Sequence, residues 1–298
     1  MSESLKILSQ TYSKFNDDKA PAFAAALAFF ATFSIAQIGI LFVGIVSLVL
    51  GPSAAHGTLY SNLNRMVGSG AAQFIENSIQ NTNLGGGSVW ATVVGAVTLF
   101  ISATAVMAQV KDALNTIWGI KPKSQNLQKS IWYIVWTRIV GFLLIILAGF
   151  LFLVFVAGTA ALNSLGHYLS SLGTVAEVFV RIGFYVFFIL LLTLFFAILY
   201  KYLPDAKIEW KNVWVGAFGT AVLFVIGTYL IGLYLGKVGV GSAFGAAGSL
   251  VLVLLWVFYS AQIFLFGAVF TQVYSLSRGK KIKPSDEAEQ MITKNPLD

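Results

Sequence analysis

Six long apolar runs, at about 27–50, 89–110, 131–161, 182–200, 213–235 and 248–276, alternate with short segments rich in lysine, glycine and polar residues. A helix needs about 20 apolar residues to cross a hydrocarbon core of roughly 30 Å. Each run is near that length or longer. The run from Val140 to Val156 shows no polar–apolar alternation, as a membrane barrel strand would. A spanning segment in lipid has to satisfy its own backbone. The pattern therefore predicts an all-α, polytopic membrane protein with six transmembrane helices.

The segments outside the runs complete the outline. Leu5, Leu8, Tyr12 and Phe15 stand at helical spacing with Lys6, Lys14 and Lys19 between them. That predicts an N-terminal interfacial helix on the inner membrane surface; a short helix packed on the bundle is the alternative. The segment 51–88 carries a helical pattern from Leu59 to Ile79 and closes with Gly85-Gly86-Gly87. A helix in the first outer loop, followed by a hinge, is expected there. One transmembrane domain then covers 1–278, and the polar stretch 279–298 is expected to be a disordered cytoplasmic tail. The first apolar run is too long for a cleaved signal peptide.

Charge orients the helices. Lys6, Lys14 and Lys19, then Lys111, Lys121, Lys123 and Lys129, then Lys201, Lys207 and Lys211, and finally Arg278, Lys280, Lys281, Lys283 and Lys294 fall on one side. Only Arg65 and Lys237 fall in the alternate loops. The positive-inside rule then puts both termini in the cytoplasm. Trp118, Trp132, Trp136, Trp210 and Trp214 flank the same ends, where an aromatic ring suits the headgroup level. The net charge of +7 is thus a topology signal rather than a nucleic-acid footprint.

Composition narrows the chemistry. Hydrophobic residues make up 57% and charged residues 10%, against roughly 25% charged in soluble domains. There is no cysteine, which removes disulfides and thiolate catalysis. The two histidines, His56 and His167, lie in separate loops, and no HExxH, GxSxG or carboxylate cluster occurs. No catalytic residues, metal site or cofactor are expected. Asp205 and Glu209, near Lys207 and Lys211, read as a solvated loop after Pro204.

Polar residues inside the runs are the unusual ones. Arg138 sits about seven residues into its helix, where an arginine costs about 2.5–3.5 kcal/mol if central. It either snorkels to the inner headgroups, contacts an anion inside the bundle, or pairs with Asp112. Gln109, Asp112 and Asn115 recur at three-residue spacing and either line an inner vestibule or tie helices together. Gln37, Gln262 and Gln272 should also face the bundle. Glu177 and Arg181 form an i,i+4 pair at the outer mouth. Gly241, Gly245 and Gly248 form a small-xxx-small series suited to close helix packing or to a re-entrant turn.

Four blocks carry a family resemblance. They are Ala24-Ala25-Ala26-Leu27-Ala28-Phe29-Phe30 with Phe33-Ser34; Ala113-Leu114-Asn115 with Ile117-Trp118-Gly119-Ile120; Leu199-Tyr200-Lys201-Tyr202-Leu203-Pro204-Asp205 with Trp210 and Gly216-Ala217; and Gly241 through Leu254-Leu255-Trp256 to Gly267-Ala268. In order and spacing the chain resembles the YihY/BrkB family of bacterial inner-membrane proteins, once labelled ribonuclease BN. Two departures stand out. Ala36 and Gln37 follow the first Phe-Ser where relatives often have proline, and Val269 stands where relatives usually have glutamate. The resemblance implies a six-helix plasma-membrane protein tied to virulence, serum resistance, envelope lipid export and osmolyte or ion handling. The nuclease label is regarded as mistaken.

Residues and resemblance together lead to one expectation: a transporter or exporter of a small solute or an anionic envelope lipid, driven by a gradient or a partner. Its path would lie among the second, third, fifth and sixth runs, with Arg138 near the inner entrance. The alternative is a non-transporting membrane partner that stabilises an envelope complex. A membrane nuclease is the least favoured. Partners would be membrane lipids and the substrate, without nucleic acid; oligomeric state is left open.

Overall fold

Apolar length sets the architecture. In this computed structural model, residues 3–32, 104–123, 127–165, 174–237, 248–286 and 288–291 are described. Among them, the helices are α1 (Glu3–Asp17), α2 (Ala20–Thr32), α3 (104–117), α4 (Leu127–Ser164), α5 (Thr174–Tyr202), α6 (Trp210–Lys237) and α7 (Gly248–Ser277). Four of them, α4 to α7, are long and apolar enough to cross a membrane. They coincide with the last four predicted runs to within a few residues at each end, except that α5 begins eight residues before its run. Most of the first two runs lies outside the described residues, as do Gln37, His56 and the helix predicted in the first loop.

The outward faces of α4 to α6 are apolar. Leu143, Phe150, Phe179, Phe187, Leu190, Ile226 and Leu230 are all exposed. Such surfaces suit lipid and would be costly in water. The packed interior is narrow by comparison. α6 lies between α5 and α7, and α1 lies along α7. Phe196, Tyr200 and Phe264 stack at the centre, with Phe224 edge-on to Phe196. Trp118, at the end of α3, meets Tyr200 edge-on and donates its indole N–H to the Ala268 carbonyl at 3.1 Å. Trp118 is thus buried in the core and not a headgroup anchor. Its neighbours in that role behave differently: Trp132, Trp136, Trp210 and Trp214 are all exposed.

α6 and α7 approach closely through a reciprocal pair of motifs. Gly216 and Thr220 lie one turn apart on α6, and Gly267 and Thr271 one turn apart on α7. Thr220 donates to its own Gly216 carbonyl at 2.8 Å, and Thr271 to Gly267 at 2.7 Å. Each threonine then fills the space left by the other helix's glycine. A Cβ on Gly216 would lie 1.8 Å from Thr271 Oγ1, and one on Gly267 would lie 1.8 Å from Thr220 Oγ1. Helices in lipid gain little from apolar burial against one another, so such close van der Waals seating matters. The glycine series read from the sequence falls elsewhere: Gly241 and Gly245 lie outside the described residues, and Gly248 opens α7.

α1 packs by one face only. Ile7, Thr11 and Phe15 turn toward the bundle, and Phe15 meets Phe266 edge-on at 5.6 Å. Leu5, Leu8 and Tyr12 stay exposed on another face. Phe15 therefore belongs with the buried set. It stands seven residues after Leu8, at the edge of the apolar stripe predicted from spacing nearest Thr11 and Ile7, where the contact with Phe266 of α7 covers it.

After α7, residues 279–286 and 288–291 are described, within the stretch expected to be a disordered tail, and they form a turn and two short strands. Gly279, at φ +71°, reverses the chain; its N–H reaches the Leu276 carbonyl and the Lys280 N–H reaches Ser275, closing a Schellman cap. Two short antiparallel pairings follow. Strands β1 (Ile120–Pro122) and β2 (Ala206–Lys207) belong to the α3–α4 and α5–α6 connections; β3 (Lys283–Pro284) pairs with β2 and β4 (Ala288–Gln290) with β1. Ile282 and Ala288 are buried between them. A polar composition concealed these two anchors.

The glycine–threonine seating generates a prediction. Gly216→Ala should lower stability by about 1–3 kcal/mol in denaturant unfolding of detergent-solubilised protein. Adding Thr271→Gly, which also removes the Thr271 Cβ 2.8 Å from the new methyl, should recover part of that loss. Gly219, with open space beside it, is the control: Gly219→Ala should be neutral or slightly stabilising.

Candidate functional site

Pro204 lacks an N–H and ends the α5 run, leaving the next residue to leave the helix. That residue is Asp205. Its carboxylate is buried, and it gathers partners from two other helices. Lys111 Nζ of α3 lies 2.9 Å from Oδ1. Asn115 Nδ2, one turn further along α3, donates to Oδ2 at 2.9 Å, and the Tyr133 hydroxyl of α4 donates to the same oxygen at 2.5 Å. The Asp205 N–H donates to Asn115 Oδ1 at 2.8 Å, and its carbonyl accepts from the Ser285 N–H at 2.8 Å. Asn115 thus pairs with Asp205 through both halves of its amide. A buried carboxylate in this setting is stable because a cation and neutral donors saturate its oxygens.

Lys111 is equally held. It donates to Thr137 Oγ1 at 3.2 Å and sits 4.2 Å from the centre of the Tyr133 ring. The α3–α4 seam continues away from the strands. Gly141 lets Met107 approach, since a Cβ there would come within 2.8 Å of the Met107 Cβ. Arg138 donates to Thr104 Oγ1 at 3.1 Å. Arg138 is therefore bonded across the seam in the half-buried zone.

Beside Asp205 lies a pocket of about 280 Å³. Lys111 and Asp205 form its charged lining. Tyr133, Trp136 and Tyr202 give it aromatic walls, and Ser285 and Asp286 come from the tail. At the rim, Lys207 Nζ bonds Asp286 Oδ1 at 2.6 Å. This hydrogen bond, with the charge behind it, holds the Asp286 carboxyl below the ordinary aspartate range. The pair's contribution is present above that ordinary range and fades as pH falls through the lowered value.

The residues singled out by sequence divide accordingly. Asn115 and Arg138 sit on the α3–α4 seam. Asp112 is exposed and does not share the Asn115 face, because three-residue steps drift around a helix. Gln109 and Gln262 are half-buried and do not line the pocket. Glu177 and Arg181 form an i,i+4 ion pair at 3.0 Å near the start of α5. Val269 is fully buried in α7. Asp205, read as part of a solvated loop, is instead the hub. Lys111, counted only toward topology, is its counter-charge. The signal that could have found them was the co-occurrence of a Pro-Asp turn with a Lys-x-x-x-Asn face on another helix. Among the described residues, no three His, Asp or Glu side chains come together.

A buried pair predicts an asymmetric response to mutation. Lys111→Met alone leaves Asp205 uncompensated and should cost about 3–5 kcal/mol. Lys111→Met with Asp205→Asn should cost clearly less than the sum of the single changes. Unfolding midpoints of the four proteins in one detergent measure this.

Comparison with known proteins gives the family. The family described as Virulence factor BrkB matches residues 11–292. A UPF0761 membrane protein of Pseudomonas paraeruginosa is 27% identical over 273 residues, covering 89% of this chain and 62% of the relative. The UPF0761 membrane protein YihY of Escherichia coli O1:K1 is 28% identical over 233 residues, covering 78% of this chain and 73% of the relative. This chain thus spans 62% of the length of the Pseudomonas relative. No solved structure matches. Matched over nearly its whole length, and carrying four helices fit to span a bilayer, the chain belongs to the BrkB virulence-factor family of membrane proteins.

Proposed function

We propose that this chain is a transporter that moves a small solute or an anionic envelope lipid across the bacterial plasma membrane. In this reading six helices cross, both termini are cytoplasmic, and the strand-bearing end of the bundle faces the cytoplasm. The one-sided distribution of lysine and arginine supports that orientation. Energy would come from a gradient or a partner.

One observation carries the reading. A polar pocket with a buried Lys111–Asp205 pair opens beside the seam between α3 and α4, and Arg138 continues that seam into the apolar zone. An arginine inside a spanning helix, as Arg138 is in α4, is rare and supports a solute path by default. Lys111 would meet a substrate at the mouth, and Arg138 would offer an anion its next contact. Both cations are already bonded to protein groups, so a passing anion would exchange partners rather than fill a vacancy.

The test is flux in reconstituted vesicles. Arg138→Ala should reduce flux of an anionic substrate by roughly tenfold, the loss of one charged contact of about 1.4 kcal/mol in the barrier. The variant should remain folded and monodisperse. Unchanged flux rules out the anion contact. A stoichiometric co-purifying partner, with no flux for any offered solute or lipid, would favour the complex-stabilising alternative.

A further inference from the structure

The segment after Ile282 crosses both connections at the strand-bearing end of the bundle. β3 lies on the α5–α6 turn and β4 on the α3–α4 turn. Between them, Ser285 and Asp286 line the pocket over Lys111 and Asp205. We propose that residues 283–286 and 288–291 are a strap that covers one side of this pocket, and that rising ionic strength releases it.

The manner of attachment is the argument. Ile282 is buried and sits against the pinned turn after α7, where Ser275 bonds the Lys280 carbonyl and Asn212 bonds Ser275. It is a fixed root. Beyond it the grip is slight. The two ladders hold two and three residue pairs. Ala288 is the one buried apolar side chain among the described residues of the strap, and it contributes a single methyl group. Two backbone bonds add to it, Ser285 N–H to the Asp205 carbonyl at 2.8 Å and Met291 N–H to the Gly119 carbonyl at 2.7 Å. The side-chain grip is charged and lies in solvent: Lys207 to Asp286 at 2.6 Å, Lys121 to Glu289 at 3.2 Å, and Lys123 Nζ to the Asp286 carbonyl at 3.1 Å. Exposed pairs are screened by salt. Short ladders with exposed hydrogen bonds belong to the low-stability end of a fold and open locally first. By contrast, the side-chain bonds that join Asp205 to Lys111, Asn115 and Tyr133 do not involve the strap, so lifting it breaks only the Ser285 bond to the Asp205 carbonyl among them.

This closure does not need the transport reading, because accessibility can be read without flux. The chain contains no cysteine, so Thr137→Cys places a single thiol in the pocket wall. Its labelling rate by a charged thiol reagent is measured in detergent at about 0.1 and 1 M salt, between which the Debye length falls from roughly 10 to 3 Å. Lys211→Cys, exposed outside the pocket, corrects for salt effects on the reagent. Relative to that control, pocket labelling should rise by roughly tenfold at high salt. Adding Asp286→Asn and Glu289→Gln should make it fast at both salts. Glu289→Lys alone should also open the strap, and Lys121→Glu with Glu289→Lys should close it again. Equal labelling in all these proteins at both salts, whether fast or slow, would overturn the strap.

Discussion

One carboxylate ties the strand-bearing end of this molecule together. Asp205 receives a lysine and an asparagine from α3, a tyrosine from α4 and a backbone N–H from the segment after α7. It stands itself at the end of α5. Removing a charge from water is costly, and only a complete set of partners offsets that. The geometry of four segments is therefore specified together. A shift of α3, of α4 or of the end of α5 breaks at least one bond to the buried carboxylate, whereas the segment after α7 is bonded only to the Asp205 backbone carbonyl.

The same requirement operates along the α6–α7 contact in a milder form. There the polar groups are threonine hydroxyls, each bonded back to its own helix. Their hydrogen-bonding needs are met locally, and what remains is shape. Tyr200 adds a second layer, donating to the Phe264 carbonyl at 2.7 Å and lying 3.0 Å from the Thr220 hydroxyl. The bundle thus uses charge at its polar end and close fit in its interior. That division follows the change of surroundings from headgroup to hydrocarbon.

Much of the fold could be read from apolar run length alone. The limits of α4 to α7 lie within a few residues of the predicted runs, except the start of α5, where Glu177 and Arg181 interrupt the apolar pattern. Length works because a hydrocarbon slab imposes a single dimension on every crossing. Contacts between distant residues were not legible. Asp205 meets Asn115 across 90 positions and Tyr133 across 72. Nothing local to Pro204-Asp205 distinguishes a solvated turn from a buried hub. Trp118 was misplaced for the same reason: its flanking position matched an interfacial anchor, whereas its partner carbonyl lies 150 residues away. The strands after α7 were not legible because a polar composition with a few scattered apolar residues resembles disorder until the strands it pairs with are known.

The mirrored threonines of α6 and α7 carry a mechanical consequence. Sliding either helix by one residue would drive both side chains out of their notches at once and press them against backbone. Neither can ratchet past the other, so the two transmit force as one strut. The seam between α3 and α4 is of another kind: it is bridged by polar bonds that can exchange partners, Lys111 to Thr137 and Arg138 to Thr104.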